Sequence, residues 1–184
     1  MSASTNKSQI RFILKPTIFS LAILPFALLL LRVFEIYGAS LGANPIEYIQ
    51  DYLGLWGIRF ILISLAVTPS CWLIKKPWPL RLRRMLGLFA FFYCAMHFLT
   101  WLILDQSLDL GSIVEDIIER PFITIGSLAL LLLIPLAVTS TKGWQRRLGK
   151  HWATMHKLIY LIAILVCWHY YWQVKLDTIE ALIY

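Results

Sequence analysis

Three histidines lie inside long apolar stretches of the chain. His156 and His169 belong to RLGKHWATMHKLIYLIAILVCWHYY (residues 147–171), and His97 belongs to an earlier stretch. Thirteen positions separate His156 from His169, which corresponds to ~20 Å along a helix and to most of a ~30 Å hydrocarbon core of a membrane. Ionisable side chains are costly inside a membrane and are functional candidates there. Imidazole is also a common axial ligand of haem iron, so iron ligation is the candidate chemistry.

The composition places the chain among integral membrane proteins. Of its 184 residues, 59% are hydrophobic and 15% are charged, and the mean hydropathy is +0.71. A soluble domain of this size cannot bury so much apolar surface. The three cysteines lack the spacing of a metal site or a disulfide framework, and we interpret them as packing residues. We find no internal repeat, so we predict one transmembrane domain over residues 1–184.

Apolar runs predict an all-α bundle of five complete transmembrane helices. They lie at about residues 17–33, 53–74, 85–104, 121–139 and 151–172, and most approach the ~20 residues that span a bilayer. A basic start followed by an apolar run also fits a cleaved signal peptide, but the run is long and further spans follow, so we expect the first helix to be retained. An incomplete sixth helix is predicted to begin at about residue 179.

Charge is distributed unevenly between the connecting segments. Thirteen of the 17 Lys and Arg residues lie in residues 1–15, 75–84 and 142–157, whereas all ten acids lie in the alternate segments. An excess of Lys and Arg in short loops marks the cytoplasmic side. We therefore predict a cytoplasmic N-terminus and acidic outer loops. Topology accounts for the basic residues, so nucleic-acid binding is excluded, and membrane lipid headgroups are the default partners of the basic loops.

The depths of the histidines can be compared because the third and fifth spans both run from inside to outside. His97 is eight residues before Asp105, and His169 is six before Lys175, which correspond to ~12 Å and ~9 Å. We therefore predict that His97 and His169 are the axial pair of a haem on the outer side. The alternative is that each histidine only joins helices by hydrogen bonds within the membrane.

His156 stands apart from this pair. It follows Lys150 by six residues, near the inner surface, and the corresponding position of the third span is Arg84. On a straight helix it also points ~140° away from the face of His169. A second haem would need an unusual ligand here, so a flavin or a quinone held by His156 is the competing interpretation. His151, at the start of the span, is interpreted as an interfacial residue.

Four arginines are secondary candidates for cofactor binding. Arg59 lies near the outer end of the second span, where it could pair with a haem propionate or extend to the membrane surface. Arg84, Arg146 and Arg147 lie at the cytoplasmic ends of the predicted spans. They are explained by topology and lipid headgroups, or by binding of a flavin phosphate or of inner propionates.

Several segments together resemble one family. They are NPIEYI (44–49), RRMLGLFAFFY (83–93) with HFLTW (97–101), ERPFITIG (119–126), PLAVTSTKGWQRRLGKHW (135–152), HKLIY (156–160) and HYYW (169–172). From about residue 40 onward the chain resembles the MsrQ family, formerly YedZ. More distantly it is similar to the ferric reductase-like transmembrane superfamily.

The resemblance implies b-type haem held at the positions of His97, His156 and His169, with FMN as a further family cofactor. It implies that electrons from the quinone pool, or from a cytosolic flavin reductase, cross the bacterial inner membrane. They would reach a periplasmic molybdenum-cofactor subunit that reduces protein methionine sulfoxide. Family members have six spans, whereas this chain ends where the sixth would begin, so we expect either a truncated chain or a member without that span.

Together these features predict a transmembrane cytochrome b, the electron-transfer subunit of an oxidoreductase system rather than its catalytic subunit. The sequence contains no Ser/His/Asp or Cys/His catalytic grouping and no Gly-rich dinucleotide fingerprint. Two alternatives remain open. One is a stand-alone metalloreductase or oxidase that uses the outer haem directly, and the other is a cofactor-free membrane anchor.

Overall fold

The computed structural model describes residues 10–38 and 40–183, with all their side chains except those of residues 11, 37 and 175–183. Within these residues every regular element is helical. Among the described residues, five helices are long and apolar enough to cross a membrane, namely Phe12–Val33, Pro45–Leu73, Leu80–Asp105, Pro121–Val138 and Lys150–Val174. The predicted all-α class with five spans is therefore confirmed. The chain forms two compact units, one that ends at His97 and one that begins at Phe98.

The first unit contains α1 (Lys15–Val33), α2 (Pro45–Leu73) and most of α3 (Leu80–Thr100). A π-helical turn at Ile10–Leu14 precedes α1, and a 3₁₀ turn at Ile36–Gly38 follows it.

The second helix begins eight residues before the predicted span start at 53. Asn44 caps it, because its side chain accepts a hydrogen bond from the backbone N–H of Glu47 at 3.5 Å. Pro45 occupies the first helical position, where its missing N–H costs nothing. Similarly, α3 begins at Leu80 rather than at 85, because long basic side chains can reach the membrane surface while the backbone remains helical.

In the second unit, α3 ends in a π-helical turn at Trp101–Asp105. The helices that follow are α4 (Leu110–Glu119), α5 (Pro121–Val138), α6 (Lys142–Leu148), α7 (Lys150–His156) and α8 (Leu158–Ile183). Together α7 and α8 form the fifth span, with a turn at Lys157 between them. Where we predict the start of a sixth helix, at about residue 179, the backbone continues α8 to Ile183. Tyr184 lies outside the described residues.

The core of the first unit is centred on Tyr93, whose side chain is fully buried. Its ring stacks on Phe60 with centroids 5.2 Å apart. Its hydroxyl donates to the carbonyl oxygen of Ala22 at 2.8 Å and accepts from the backbone N–H of Phe26 at 3.1 Å. These two groups bond to each other in a regular helix, and they flank Pro25, so the Tyr93 hydroxyl contacts α1 at the point where the proline disturbs the backbone hydrogen bonds.

The core of the second unit lies between α5 and α8. Its buried residues include Ala129, Leu133 and Leu136 of α5 and Ile162 of α8. Elsewhere on the spans large apolar side chains face outward, as Leu131 does with 63% of its surface exposed. Such outward apolar surfaces are solvated by lipid chains in a membrane protein.

Candidate haem-ligand site

His97 is held by a backbone carbonyl of the neighbouring helix. It lies on α3, and its Nδ1 is 2.8 Å from the carbonyl oxygen of Gln50 on α2. Since a carbonyl oxygen only accepts hydrogen bonds, Nδ1 carries the proton and Nε2 carries the lone pair. The half-buried ring also lies against Gly54, where an added β-carbon would be 3.1 Å from its Cε1 and Nδ1 atoms.

His169 has the same arrangement in the second unit. It lies on α8, and its Nδ1 is 2.7 Å from the carbonyl oxygen of Phe122 on α5. The bond fixes the same tautomer, with the lone pair on Nε2. A β-carbon added at Gly126 would lie 2.9 Å from Cε1 and Nδ1 of His169. The ring therefore occupies space that only a glycine leaves open.

The two arrangements are copies of one another along the sequence. Each arrangement consists of a residue whose carbonyl accepts the hydrogen bond, a glycine and a histidine. In the second arrangement, each of these three residues lies 72 positions after its counterpart in the first (122 − 50, 126 − 54 and 169 − 97). The segments LAVTPS (65–70) and LAVTST (136–141) recur at nearly the same offset. Our expectation of no internal repeat is therefore wrong. The equal separation of each histidine from its glycine was the sequence signal that could have revealed both glycines.

His156 has different surroundings. Its Nδ1 is 3.1 Å from the carbonyl oxygen of Trp152, one turn earlier in the same helix, and its ring stacks on the Trp152 ring at 4.0 Å between centroids. The Trp152 Nε1–H donates to the carbonyl oxygen of Thr139, at the end of α5, at 2.9 Å. His156 thus bonds within its own helix, and Trp152 links this turn to the end of α5.

Residues 53–167 match the model of a protein family that is described as the ferric reductase like transmembrane component. The chain is 53% identical over 148 residues to the protein-methionine-sulfoxide reductase heme-binding subunit MsrQ of Rhodospirillum rubrum, an alignment that covers 80% of this chain and 71% of that protein. The MsrQ of Xanthomonas oryzae pv. oryzae is 43% identical over 185 residues, with 99% and 84% covered. The chain belongs to the MsrQ family. No solved structure matches it significantly.

The four arginines that the sequence suggested for cofactor binding lie on the surface of this MsrQ-family chain. Arg59 is exposed, and its guanidinium lies over the Trp56 ring at 4.9 Å from the centroid. Arg147 is likewise exposed and lies over the Trp144 ring at 5.5 Å. Arg84 and Arg146 are exposed as well. Their roles in cofactor binding remain predictions.

No cluster of three or more His, Cys, Asp or Glu side chains that could hold a metal ion occurs among the described residues of this MsrQ-family chain. The candidate ligands are the single imidazoles of His97 and His169. One imidazole on each axial side is the number that haem iron takes, since the porphyrin supplies the other four ligands.

Proposed function

We propose that this chain is a membrane-spanning b-type cytochrome whose haem iron is bound by His97 and His169. We further propose that it delivers electrons to a periplasmic molybdenum-cofactor methionine sulfoxide reductase subunit, which repairs oxidised periplasmic proteins. Membership of the MsrQ family supports haem binding and the association with a methionine sulfoxide reductase, because relatives bear the name of haem-binding subunits of protein-methionine-sulfoxide reductase.

The carbonyl hydrogen bonds of the two rings are the observation on which this proposal rests. Histidines that ligate metals commonly donate their second ring N–H to a carbonyl or carboxylate, which fixes the tautomer and the ring orientation. His97 and His169 both donate Nδ1–H to a backbone carbonyl. The donor set thus fits haem iron, with Nε2 as the ligating atom on each side.

Haem supplies a one-electron couple, and the chain supplies ligation, orientation and a water-poor environment. Each carbonyl bond holds its ring plane, and each glycine lets the ring approach the helix behind it. His97 and His169 would hold the iron with two imidazoles, a ligand set that would favour electron transfer over reaction with oxygen. We base the pairing on the sequence count, in which the two histidines lie at ~9–12 Å from the same membrane surface.

We propose that His156 serves a second cofactor near the cytoplasmic surface, which is haem, FMN or a quinone. The supporting observation is its separate environment, in which the ring stacks on Trp152 and bonds within its own helix. Arg84, Arg146 and Arg147 are the proposed partners of phosphate or propionate groups there, and Arg59 is the proposed outer partner. The donor would be the quinone pool or a cytosolic flavin reductase, and the location would be the bacterial inner membrane with the N-terminus in the cytoplasm.

The test is the reduced-minus-oxidised absorption spectrum of protein purified in detergent, with haem and flavin extracted and counted. We expect His97→Ala and His169→Ala to lose the b-type signal, because each removes an axial ligand. His156→Ala should keep most of that signal and lose the second cofactor. His151→Ala is the matched control, because His151 is exposed, and it should behave as wild type.

The proposal fails if wild-type protein contains no haem, or if His156→Ala loses the signal while His169→Ala retains it. Electron delivery is tested by stopped-flow reoxidation of the reduced protein after addition of the purified reductase subunit and methionine sulfoxide. With a substoichiometric amount of the reductase subunit, we expect complete reoxidation only when methionine sulfoxide is also present to accept two electrons and two protons per molecule.

A further inference from the structure

The short helix α4 carries a largely buried carboxylate, that of Asp116. Asp116 accepts hydrogen bonds from Trp101 Nε1–H at 3.2 Å and from Gln106 Nε2–H at 2.7 Å, and it forms an ion pair with Arg120 at 3.4 Å. Its side chain is only 14% exposed. These contacts tie α4 to the end of the third span and fix its rotation about its own axis.

The opposite side of α4 carries a stripe of exposed apolar residues. Leu110, Val114 and Ile118 are 77%, 55% and 73% exposed, and their spacing of four residues places them in one row. At ~100° per residue, the directions of Val114 and Asp116 around the helix axis differ by ~160°. Such a row is unfavourable against water, so this stripe is expected to be covered.

Both ends of α4 are held in place. The Asp109 carboxylate caps its first turn, accepting from the Ser112 backbone N–H at 2.9 Å and from the Ser112 hydroxyl at 2.7 Å, and these bonds lower the pKa of Asp109. At the other end, the Thr124 hydroxyl donates to the carbonyl oxygen of Ile117 at 2.8 Å. These bonds hold α4 in place, so the side of the helix on which the stripe lies is fixed relative to the adjoining segments.

The stripe is continuous along the chain with the lipid-facing surface of the spans. Residues 106–109 connect α4 to the third span, and Arg120 alone connects it to the fourth. Ile103 and Leu104 at the end of the third span are each 47% exposed, and Leu108 in the connection is 59% exposed. Because α4 is joined by short connections to two apolar spans, and exposed apolar residues continue from the third span into the connection, the bilayer around the spans is the occupant nearest to the stripe.

We propose that α4 lies along the membrane surface, with Leu110, Val114 and Ile118 inserted among lipid acyl chains. Amphipathic helices bind at this depth, with the apolar face ~5–10 Å into the boundary between headgroups and acyl chains. Glu115 and Glu119 are exposed elsewhere on the helix and remain on the aqueous side. The stripe itself carries no charge, so the contact is with acyl chains, and anionic headgroups are not required. This placement does not depend on any cofactor.

The first experiment compares two neighbouring positions of α4 by fluorescence. Val114→Cys and Glu115→Cys are made after Cys71, Cys94 and Cys167 are replaced by Ala, labelled with an environment-sensitive fluorophore, and placed in nanodiscs of phosphatidylcholine with brominated acyl chains. We expect the label at 114 to show blue-shifted emission and strong quenching by bromine. The label at 115, one residue away on the acidic side, should show neither.

Water-like emission at 114 would overturn the proposal, and so would equal quenching at the two positions. If 114 becomes shielded only after the purified methionine sulfoxide reductase subunit is added, the stripe is a protein-docking surface, which also overturns it. A second experiment needs no substitution. Wild-type protein in nanodiscs that contain a lipid with a photoactivatable acyl chain should be labelled at Leu110, Val114 or Ile118, and labelling confined to the five spans would contradict the insertion.

Discussion

At the scale of single residues, the difference between the three membrane histidines lies in what holds each ring. His97 and His169 donate to carbonyls of a different helix and lie against a glycine. His156 donates within its own helix and lies on an aromatic ring. A ring that is hydrogen-bonded to a neighbouring helix keeps its orientation, which would suit the proposed iron ligation because electron transfer would then need little reorganisation.

The glycine behind His169 provides the sharpest residue-level prediction. A β-carbon at position 126 would lie 2.9 Å from two ring atoms, so Gly126→Ala must displace the ring from its carbonyl partner. We expect a lowered haem content or a shifted midpoint potential, measured by pyridine haemochrome assay and redox titration. Gly54→Ala should have a smaller effect on the same readouts, because the corresponding distance at His97 is 3.1 Å.

The matched control is Gly87→Ala in α3. A β-carbon there would meet nothing within 4 Å, and alanine is favoured over glycine in a helix interior by ~1 kcal/mol. This variant should keep the wild-type spectrum and potential. A Gly126→Ala protein with wild-type haem content and potential would show that the contact with glycine does not position the ligand.

At the scale of elements, the first helix depends on a side chain from the third. Pro25 interrupts α1, and the hydroxyl of Tyr93 bridges Ala22 and Phe26 across the interruption. The hydroxyl of Tyr52 also donates to the carbonyl oxygen of Pro25 at 3.1 Å. Backbone groups inside a membrane need partners because water is absent there, and the two tyrosine hydroxyls supply hydrogen bonds to the backbone around Pro25.

Tyr93→Phe is therefore expected to destabilise the first unit. It keeps the ring stacking on Phe60 but leaves a buried donor and a buried acceptor without their present partner, at a cost of ~1–3 kcal/mol for each unsatisfied group. The measurement is thermal unfolding in detergent, where the midpoint should fall. In a Pro25→Ala background the loss should shrink, because the regular bond between Phe26 N–H and the carbonyl oxygen of Ala22 can then form.

Tyr160→Phe serves as the control, because Tyr160 is 58% exposed and its substitution should leave the midpoint unchanged. An equal loss from Tyr93→Phe with and without Pro25 would mean that the hydroxyl does not compensate for the proline.

At the scale of the whole molecule, the sequence predicted the transmembrane spans well. It predicted poorly where a helix begins and which residues of different helices lie against each other. Apolar composition determines which residues cross a membrane, so five spans and three membrane histidines could be derived from it. The start of α2 was missed because it depends on the Asn44 cap rather than on hydrophobicity. Gly54 and Gly126 were missed because periodicity within one helix does not reveal which side chain of another helix lies against it.

The orientation of the chain in the membrane is the prediction with the widest consequences. The Lys and Arg bias places residues 75–84 and 142–157 in the cytoplasm, so the loop that contains residue 108 should face outward. Alkaline phosphatase, which is active only outside the cytoplasm, would be fused after residue 108 or after residue 145. We expect high activity from the first fusion and background activity from the second, with the opposite pattern for a fluorescent protein that folds only in the cytoplasm. A reversed result would place the acidic loops inside and would exclude delivery of electrons to a periplasmic partner from His97 and His169, while leaving the ligand prediction for both histidines intact.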